Sequence, residues 1–438
     1  MTATQPAPKP PLTSRPSKRQ TLSWALYDWA NSAYATVVIA GFFPVFFTQY
    51  WAADLTSARS TQVLGYASSA ASLILVASAP VLGALADQLG AKKRFLLGFT
   101  LLGVLATGAL YWLEAGHWGL ALALYLAGLL GFFGSNVFND ALITDVAAVE
   151  DYEHASSLAY ALGYLGGGLL FAFNVVMVLT PDTFGLADKS DAVRIAFLSC
   201  ALWWALFSIP LAWFVPESRG IGSRGLSAAA RGAFAELSAT LGKVRLLPNT
   251  FLFLVAYWFY IDGVDTIVFM AVKYGLDLGF PDSSLMVALL ITQFVGFPAA
   301  LAFGRLGAVW GPKPSILLAI GVYSLVVIAA AWMQRVEHFY ALAVAIGLVQ
   351  GGIQALSRSL FASLIPAGET TELFGFYNMI GKFAAVLGPF LVGTTAAMSG
   401  DPRFSLLPIL LLFLIGALLL WRVDVAGGRA DAVAFHRV

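Results

Sequence analysis

The sequence predicts an all-α membrane protein with twelve transmembrane helices in two bundles of six. Hydrophobic residues make up 59% of the 438 residues and charged residues only 11%, and the mean hydropathy is +0.80. Soluble domains, by contrast, are about 45–50% apolar. Several of the long apolar runs contain ionisable side chains. Because a charge at the centre of a bilayer costs about 2.5–3.5 kcal/mol, such side chains usually face a bundle interior or a water-filled cavity.

The twelve spans are inferred from runs long enough to cross the hydrocarbon core, which takes about 20 apolar residues. Six runs precede a polar interruption and six follow it. They lie near residues 24–47, 62–86, 95–113, 119–143, 157–179 and 194–214, and then near 250–271, 284–304, 314–333, 339–361, 373–397 and 404–421. The 42 glycines are typical of membrane helices that pack closely.

These runs and the polar segments around them predict five regions. The first is a disordered cytoplasmic tail (1–22), which is rich in Pro and basic residues and lacks the apolar core of a signal peptide. The others are an N-terminal six-helix bundle (23–215), a cytoplasmic linker (216–249), a C-terminal six-helix bundle (250–422) and a cytoplasmic tail (423–438). Within the linker, Leu226–Leu247 can form an amphipathic surface helix, which favours a structural tether over a binding site.

The distribution of basic residues predicts the orientation in the membrane. Most of the 25 Lys and Arg residues fall in segments that would share one side, including the N-terminal tail, the loop 92–94, the linker and the C-terminal tail. Because basic loops stay in the cytoplasm, both termini are expected there. The acidic segment 150–154 is the exception, although acidic residues carry little weight in that rule. We expect a multi-pass protein of the plasma (inner) membrane, surrounded by the lipid bilayer.

The composition also excludes several classes of function. A net charge of +1 gives no electrostatic basis for binding nucleic acid. The single cysteine, Cys200, excludes an intrachain disulfide. No nucleophile–base grouping, metal-ligand cluster or G-x-x-x-x-G-K-[ST] phosphate loop occurs in the sequence. We therefore expect neither an enzyme nor a cofactor.

A short repeat connects the two halves. The segment G-A-L-A-D-Q-L-G (83–90) follows the second span, and G-R-L-G-A-V-W-G (304–311) follows the eighth, each with basic residues after it. The first copy resembles the loop between helices 2 and 3 of the major facilitator superfamily. The resemblance implies that Asp87 is a conformational latch against the opposite half, with Arg94 as its partner. Ala308 stands at the position that matches Asp87 in the second copy.

Further motifs narrow the resemblance to the vacuole-effluxer-like, autophagy-related branch of that superfamily. Similar to its signatures are Y-D-W-A-N-S-A-Y (27–34), G-Y-L-G-G-G (163–168), Q-G-G-I-Q-A-L-S-R-S (350–359), F-G-F-Y (374–377) and G-K-F (381–383). The segment Y-I-D-G-V-D-T (260–266) matches less strictly, with Asp265 where a neutral polar residue is more usual. The resemblance implies two six-helix bundles around a central cavity and a role in transport. The fungal relatives are associated with amino-acid efflux from the vacuole.

Polar stripes occur on four of the predicted helices, and in major facilitators helices 1, 4, 7 and 10 line the central cavity. The stripes are Asp28 and Asn31 on helix 1, Asn136, Asn139 and Asp140 on helix 4, Asp262 and Asp265 on helix 7, and Gln350, Gln354, Ser357 and Arg358 on helix 10. Residues three, four or seven positions apart share one face of a helix. Lys382 on helix 11 is the one strong candidate elsewhere.

Two kinds of role are predicted for these residues. The candidates for substrate binding or coupling are Asp262, Asp265, Gln350, Gln354, Lys382, Asn139 and Asn31, and those for a gate or latch are Asp28, Asp140, Arg358, Asp87 and Arg94. Asp262, with Asp265, would meet a cation or a proton, and Lys382 or Arg358 would meet an anionic group. Simpler alternatives are an ion pair between Asp28 and Arg358 that only closes the inner gate, and hydrogen bonds from the glutamines to neighbouring helices.

Together these features predict a secondary active transporter of a small polar solute, with an amino acid or a related zwitterion as the first candidate. The two halves would rock between two access states around the cavity, and protons are the candidate coupling ion. Two alternatives stay open. One is an exporter of amphiphilic drugs, which a chiefly aromatic cavity would favour, and the other is a non-transporting membrane sensor or scaffold.

Overall fold

The computed structural model describes residues 16–55, 57–217, 240–367, 369–384, 387–399 and 406–435. Almost all of these residues are helical, and no strand occurs among them. The helices are α1 Lys18–Trp51, α2 Ser57–Leu89, α3 Lys92–Trp112, α4 Trp118–Val146, α5 Tyr152–Leu179, α6 Lys189–Phe214, α7 Pro248–Asp277, α8 Asp282–Trp310, α9 Pro312–Ala330, α10 Val336–Ser363, α11 in two parts (Thr370–Ala384 and Leu387–Ser399), α12 Ile409–Arg422 and α13 Val425–Ala434.

Nine helices in the described part of the chain are long and apolar enough to cross a membrane, namely α1 and α3 to α10. The three other predicted spans coincide with α2, the two parts of α11, and α12. The protein is therefore an all-α, multi-pass membrane protein, and each of the twelve predicted spans coincides with a helix in the described part of the chain.

Two helices extend into segments expected to be tails. α1 begins at Lys18, inside the expected tail, because Ser17 and Gln20 exchange hydrogen bonds between side chain and backbone in a capping box. α13 lies in the expected C-terminal tail and is bent by 64° from α12. The amphipathic helix expected at Leu226–Leu247 lies largely outside the described residues, and its end is helical from 240 to 245.

The start of α1 and the helix α13 lie on one side of the bundle, which we call the termini side. There the Thr21 hydroxyl near the start of α1 donates to the Val146 carbonyl at the end of α4, at 2.6 Å. Arg429 of α13 approaches Glu153 at the start of α5, at 3.8 Å. The two halves meet where α5 packs against α8 and α10, and where α11 packs against α2 and α4.

Glycines permit the closest approaches between the halves. A Cβ atom on Gly83 of α2 would lie 2.6 Å from the Thr371 carbonyl oxygen in α11. A Cβ atom on Gly304 of α8 would lie 2.5 Å from the Cβ of Ser157 in α5. These are the first glycines of the two repeat copies, so the repeat places equivalent tight contacts on the two sides of the interface.

The ends of the two repeat copies are also equivalent in the backbone. Gly90 after α2 and Gly311 after α8 have φ angles of 62° and 91°, which disfavour residues with a side chain. After each turn a lysine reaches the final carbonyls of the last span in its own half. Lys93 donates to Val215 O at 2.8 Å, and Lys313 donates to Val423 O at 2.8 Å.

Asp262 stabilises the second part of α11. Its carboxylate is fully buried and accepts the Gly388 N–H at 3.0 and 3.1 Å and the Thr266 hydroxyl at 3.4 Å. Gly388 is the second residue of Leu387–Ser399. Because the first N–H groups of a helix have no partner within it, a carboxylate at this position acts as an N-cap supplied by another helix.

We expect Asp262→Ala to destabilise the protein by about 1–2 kcal/mol, since it removes this cap. Asp262→Asn should lose less, because an amide oxygen still accepts from Gly388. Thermal unfolding in detergent measures both effects. Asp424→Ala is the matched control, because Asp424 caps the peripheral helix α13 through the Gly427 N–H at 3.1 Å. An unchanged unfolding midpoint in Asp262→Ala would refute the capping role.

Gly83→Val should weaken the contact between α2 and α11, since overpacking a close contact costs about 1–3 kcal/mol. The expected result is a lower unfolding midpoint and faster labelling of a cysteine introduced on the termini side. Gly98→Val is the control, because a Cβ on Gly98 meets nothing within 4 Å. Equal behaviour of the two variants would contradict a tight contact at Gly83.

Candidate functional site

A cavity of about 320 Å³ lies between the two halves. Its walls come from α1, α4 and α5 of the first half and from α7, α8, α10 and α11 of the second. Seven of the predicted site residues line it: Asp28, Asn31, Asp140, Asp265, Gln350, Gln354 and Arg358. The polar stripes on helices 1, 4, 7 and 10 thus converge on one space.

Arg358 forms the charged floor of this cavity on the termini side. Its side chain, only 2% exposed, extends from α10 into the first half. The Nη1 atom lies 3.3 Å from Asp28 Oδ2 and 3.0 Å from Asp140 Oδ1, and Nη2 also lies 3.3 Å from Asp28 Oδ2. A single guanidinium therefore binds two carboxylates from two different helices.

The remaining contacts of Arg358 fix the plane of the guanidinium group. The Nε atom donates to Ser156 Oγ at 2.8 Å and Nη2 donates to the Ser156 carbonyl at 3.1 Å. The Cζ atom lies 4.9 Å from the ring centroid of Trp24 and 4.5 Å from that of Tyr160. Aromatic faces at this distance attract a cation. Sequence patterns did not single out Ser156, Trp24 or Tyr160 for this role.

Amide side chains extend the network from both halves. Asn139 donates to Asp28 Oδ1 at 2.8 Å, and Asn378 of α11 donates to Asp140 Oδ2 at 3.1 Å. Asn139 is buried behind Asp28 and does not line the cavity, contrary to its expected role in binding substrate. Asn31 donates to Asn136 Oδ1, which joins α1 to α4 within the wall.

The cavity wall farther from the termini side combines tyrosines with glutamines. Tyr164 of α5 donates to Gln354 Oε1 of α10 at 3.4 Å. Tyr257 and Tyr377 stack with ring centroids 4.3 Å apart. The lining also includes Gln293 of α8, which no pattern predicted. Tyr164 and Tyr377 belong to the family motifs 163–168 and 374–377, so the motifs carried a signal for them.

The structure separates Asp262 from Asp265. Asp265 lines the cavity from α7, whereas Asp262 is directed at the start of the second part of α11. Asp262 therefore does not share the cavity wall with Asp265, and its carboxylate instead accepts a backbone N–H of α11. The side chain of Lys382 lies outside the part of the chain that the structure describes.

Asp87 caps α11 from the opposite half. Its Oδ2 accepts the N–H groups of Thr371 and Glu372 at 2.8 and 3.1 Å, and its Oδ1 accepts the Thr371 hydroxyl at 2.7 Å. The prediction that Arg94 is the partner of Asp87 is wrong. Arg94 is exposed and lies 3.7 Å from Glu217, because the chain turns at Gly90 and directs Lys92 inward instead.

Lys92 takes the position expected for Arg94. Its Nζ atom lies 3.6 Å from Asp87 Oδ1 and 2.9 Å from Asp145 Oδ2, and it donates to Thr370 Oγ1 at 2.6 Å. One buried ammonium group thus connects α2, α4 and the first turn of α11. The sequence contains three adjacent basic residues, Lys92, Lys93 and Arg94, and does not show which of them faces Asp87.

Two peripheral segments add contacts on the termini side. Lys243, just before α7, lies 2.8 Å from Glu372 and 3.5 Å from Glu369. Burial alone would lower the pKa of Lys243, but the adjacent Glu372 and Glu369 carboxylates raise that pKa above its ordinary value. Arg429 of α13 binds Glu153 of the first half, and its Nε donates to Ser363 of the second half at 3.2 Å.

Sequence comparison relates the chain to known transport proteins. A family model described as "Vacuole effluxer Atg22 like" matches residues 56–153 and 144–433. The uncharacterised MFS-type transporter YxiO of Bacillus subtilis is 38% identical over 404 residues, which cover 92% of this chain and 94% of that protein. Autophagy-related protein 22 of Cryptococcus neoformans is 27% identical over 298 residues, covering 64% of this chain and 51% of the fungal protein. The chain therefore spans about half the length of this fungal relative.

Solved structures share the fold. The human organic anion transporter MFSD10 (TETRAN) superposes with a TM-score of 0.70 at 15% identity, over 93% of this chain and 100% of that chain. The proton:xylose symporter XylE gives a TM-score of 0.68 at 15% identity, over 92% of this chain and 94% of that chain. The fold is thus that of the major facilitator superfamily, and the family-model match is more specific. The chain belongs to the Atg22-like vacuole effluxer family, a branch of major facilitator transporters and not of enzymes.

Proposed function

We propose that the protein is a secondary active transporter of a small polar solute, with an amino acid as its first substrate class. The observation that carries this proposal is the cavity of about 320 Å³ between the halves, a size typical of small-molecule sites. Its lining combines the carboxylates of Asp28, Asp140 and Asp265 with the guanidinium of Arg358 and several amides. Groups of opposite charge in one cavity suit a zwitterion, which carries both an ammonium and a carboxylate.

In the proposed cycle the two halves rock around this cavity. The contacts of Arg358, Asp87 and Arg429 all join the halves on the termini side. They close that side in the present arrangement and must break when it opens. We assign the termini side to the cytoplasm because the basic loops lie there, and the membrane to the plasma (inner) membrane.

We also propose that the chain consists of a tail, a six-helix bundle, a linker, a second six-helix bundle and a second tail. Each bundle would move as a unit around the cavity. Asp265 is the proposed site of proton coupling, because its carboxylate lines the cavity on the second half. Exposure to alternate sides of the membrane would let it exchange a proton with each side.

An exporter of amphiphilic drugs is the competing function. Four tyrosines and Phe132 contribute to the lining, which gives the cavity aromatic surface. The carboxylates, the guanidinium and the amides share the same walls, however, and their desolvation by an apolar drug would be costly. This composition favours a polar solute.

The first test is flux in liposomes that contain the purified protein. We expect uptake and counterflow of at least one member of a radiolabelled amino-acid panel, and we expect an imposed pH gradient to increase the net flux. Amphiphilic dyes assayed in parallel test the competing function. Flux of dyes alone would replace the amino-acid proposal, and no flux of any solute would favour a sensor or scaffold.

Asp265→Asn should abolish the stimulation by the pH gradient, because an amide cannot exchange a proton, while counterflow continues. Asp262→Asn is the matched control, since it neutralises the same residue type one helical turn away but outside the cavity. Its flux should stay near that of the wild type. Loss of gradient dependence in Asp262→Asn, with none in Asp265→Asn, would contradict the assignment.

A further inference from the structure

Arg358 belongs to the second half, but its hydrogen-bonded, ion-paired and aromatic partners belong to the first. We call these partners the Arg358 socket: Trp24, Asp28, Asp140, Ser156 and Tyr160. They come from α1, α4 and α5, which lie in one bundle. The socket therefore stays intact as a unit when the two bundles move apart.

Separation of the halves on the termini side withdraws the guanidinium from the socket. Asp28 and Asp140 then lose the cation that bridges them, although both carboxylates remain within the spans. An uncompensated buried charge is unfavourable. Opening is therefore favoured by any cation that enters the socket as Arg358 leaves it, since one positive charge replaces another.

The socket has the chemistry of a site for an organic cation. Two carboxylates and the Ser156 carbonyl accept hydrogen bonds, and two aromatic faces lie 4.9 and 4.5 Å from the guanidinium carbon. A proton would use one carboxylate oxygen, whereas an ammonium or guanidinium group uses the acceptors and the aromatic faces together.

We propose that the Arg358 socket is a binding site for the cationic nitrogen group of the transported solute. Arg358 occupies the socket while the termini side is closed, and the ammonium or guanidinium group of the solute takes its place as the halves part. This assignment rests on the proposed transport function and adds to it the location and charge of one substrate contact. Because ligand and side chain compete for one position, binding shifts the population toward the open state.

Chemical rescue tests the site directly. In full-length Arg358→Ala, the unfolding midpoint should fall, and millimolar methylguanidinium should restore part of the loss in a saturable manner at constant ionic strength. Tetramethylammonium, which has no N–H donor, should restore less. The double variant Arg358→Ala with Asp140→Asn should not respond, because one of the two socket carboxylates is neutral.

Arg194→Ala provides a matched control. Arg194 also lies near a carboxylate, Asp191 at 3.6 Å, and over an aromatic ring, Tyr111 at 5.5 Å, but it lies within the first half. Methylguanidinium should not restore the midpoint of this variant. Equal rescue of both variants would mean a general effect of the cation and would overturn the proposal.

A second measurement leaves Arg358 in place, in case its variants do not fold. Ser157 is buried against Gly304 at the interface of the halves. A cysteine at this position, in a Cys200→Ala background, should react faster with a maleimide when methylguanidinium occupies the socket and opens the termini side. An unchanged labelling rate would overturn the proposal.

The outcomes also separate this site from the proposed function. If organic cations have no effect, and the midpoint of Arg358→Ala rises only as the pH falls, protons refill the socket and the cation site is refuted. Amino-acid flux in the wild type would still support the carrier. Conversely, rescue by methylguanidinium without flux of any solute would support the site and refute the transport function.

Discussion

The contact between Arg358 and its two carboxylates is the interaction on which the interface of the halves depends. It is buried, it joins α10 to α1 and α4, and it carries opposite charges that cannot be left apart in the membrane without replacement. Other contacts on the termini side are hydrogen bonds that include a neutral partner, such as Lys92–Thr370 and Asn378–Asp140, or the partly exposed Arg429–Glu153 pair. Among the described residues, Arg358 supplies the buried ion pairs between the halves.

The two halves have equivalent glycine contacts at their interface but different polar contacts. The repeat gives α2 and α8 a glycine for close approach and a second glycine for the turn. Only α2 carries a carboxylate, Asp87, that caps the helix of the opposite half, and Ala308 in α8 has no such capacity. At the corresponding helix α5, the first-turn residue Glu153 instead meets Arg429 from α13. Closure on that side therefore involves a segment outside the twelve spans.

Helical spacing predicted much of the site, but not the direction of every residue in a stripe. Asp28, Asp140 and Arg358 converge as their stripes suggested. Asp262 and Asp265 do not, because residues three apart differ by about 60° around a helix axis, enough for one to face the cavity and the other α11. The Gly388-Pro389 dipeptide indicates a helix break, but it does not show which side chain accepts the Gly388 N–H. Nor could the sequence distinguish Lys92 from Arg94, since a single glycine turn decides which of them faces inward.

Unequal strengths of the contacts have a mechanistic consequence. A carrier must cross between states that differ by only a few kcal/mol, so no closing contact can be both strong and irreplaceable. The Asp87 hydrogen bonds can be exchanged for water at the membrane surface, and the half-exposed Arg429 pair contributes at most about 1 kcal/mol. The Arg358 pairs join the halves through opposite charges that are almost fully buried. In the proposed mechanism, opening is coupled to solute binding at this contact, because its loss requires another charge.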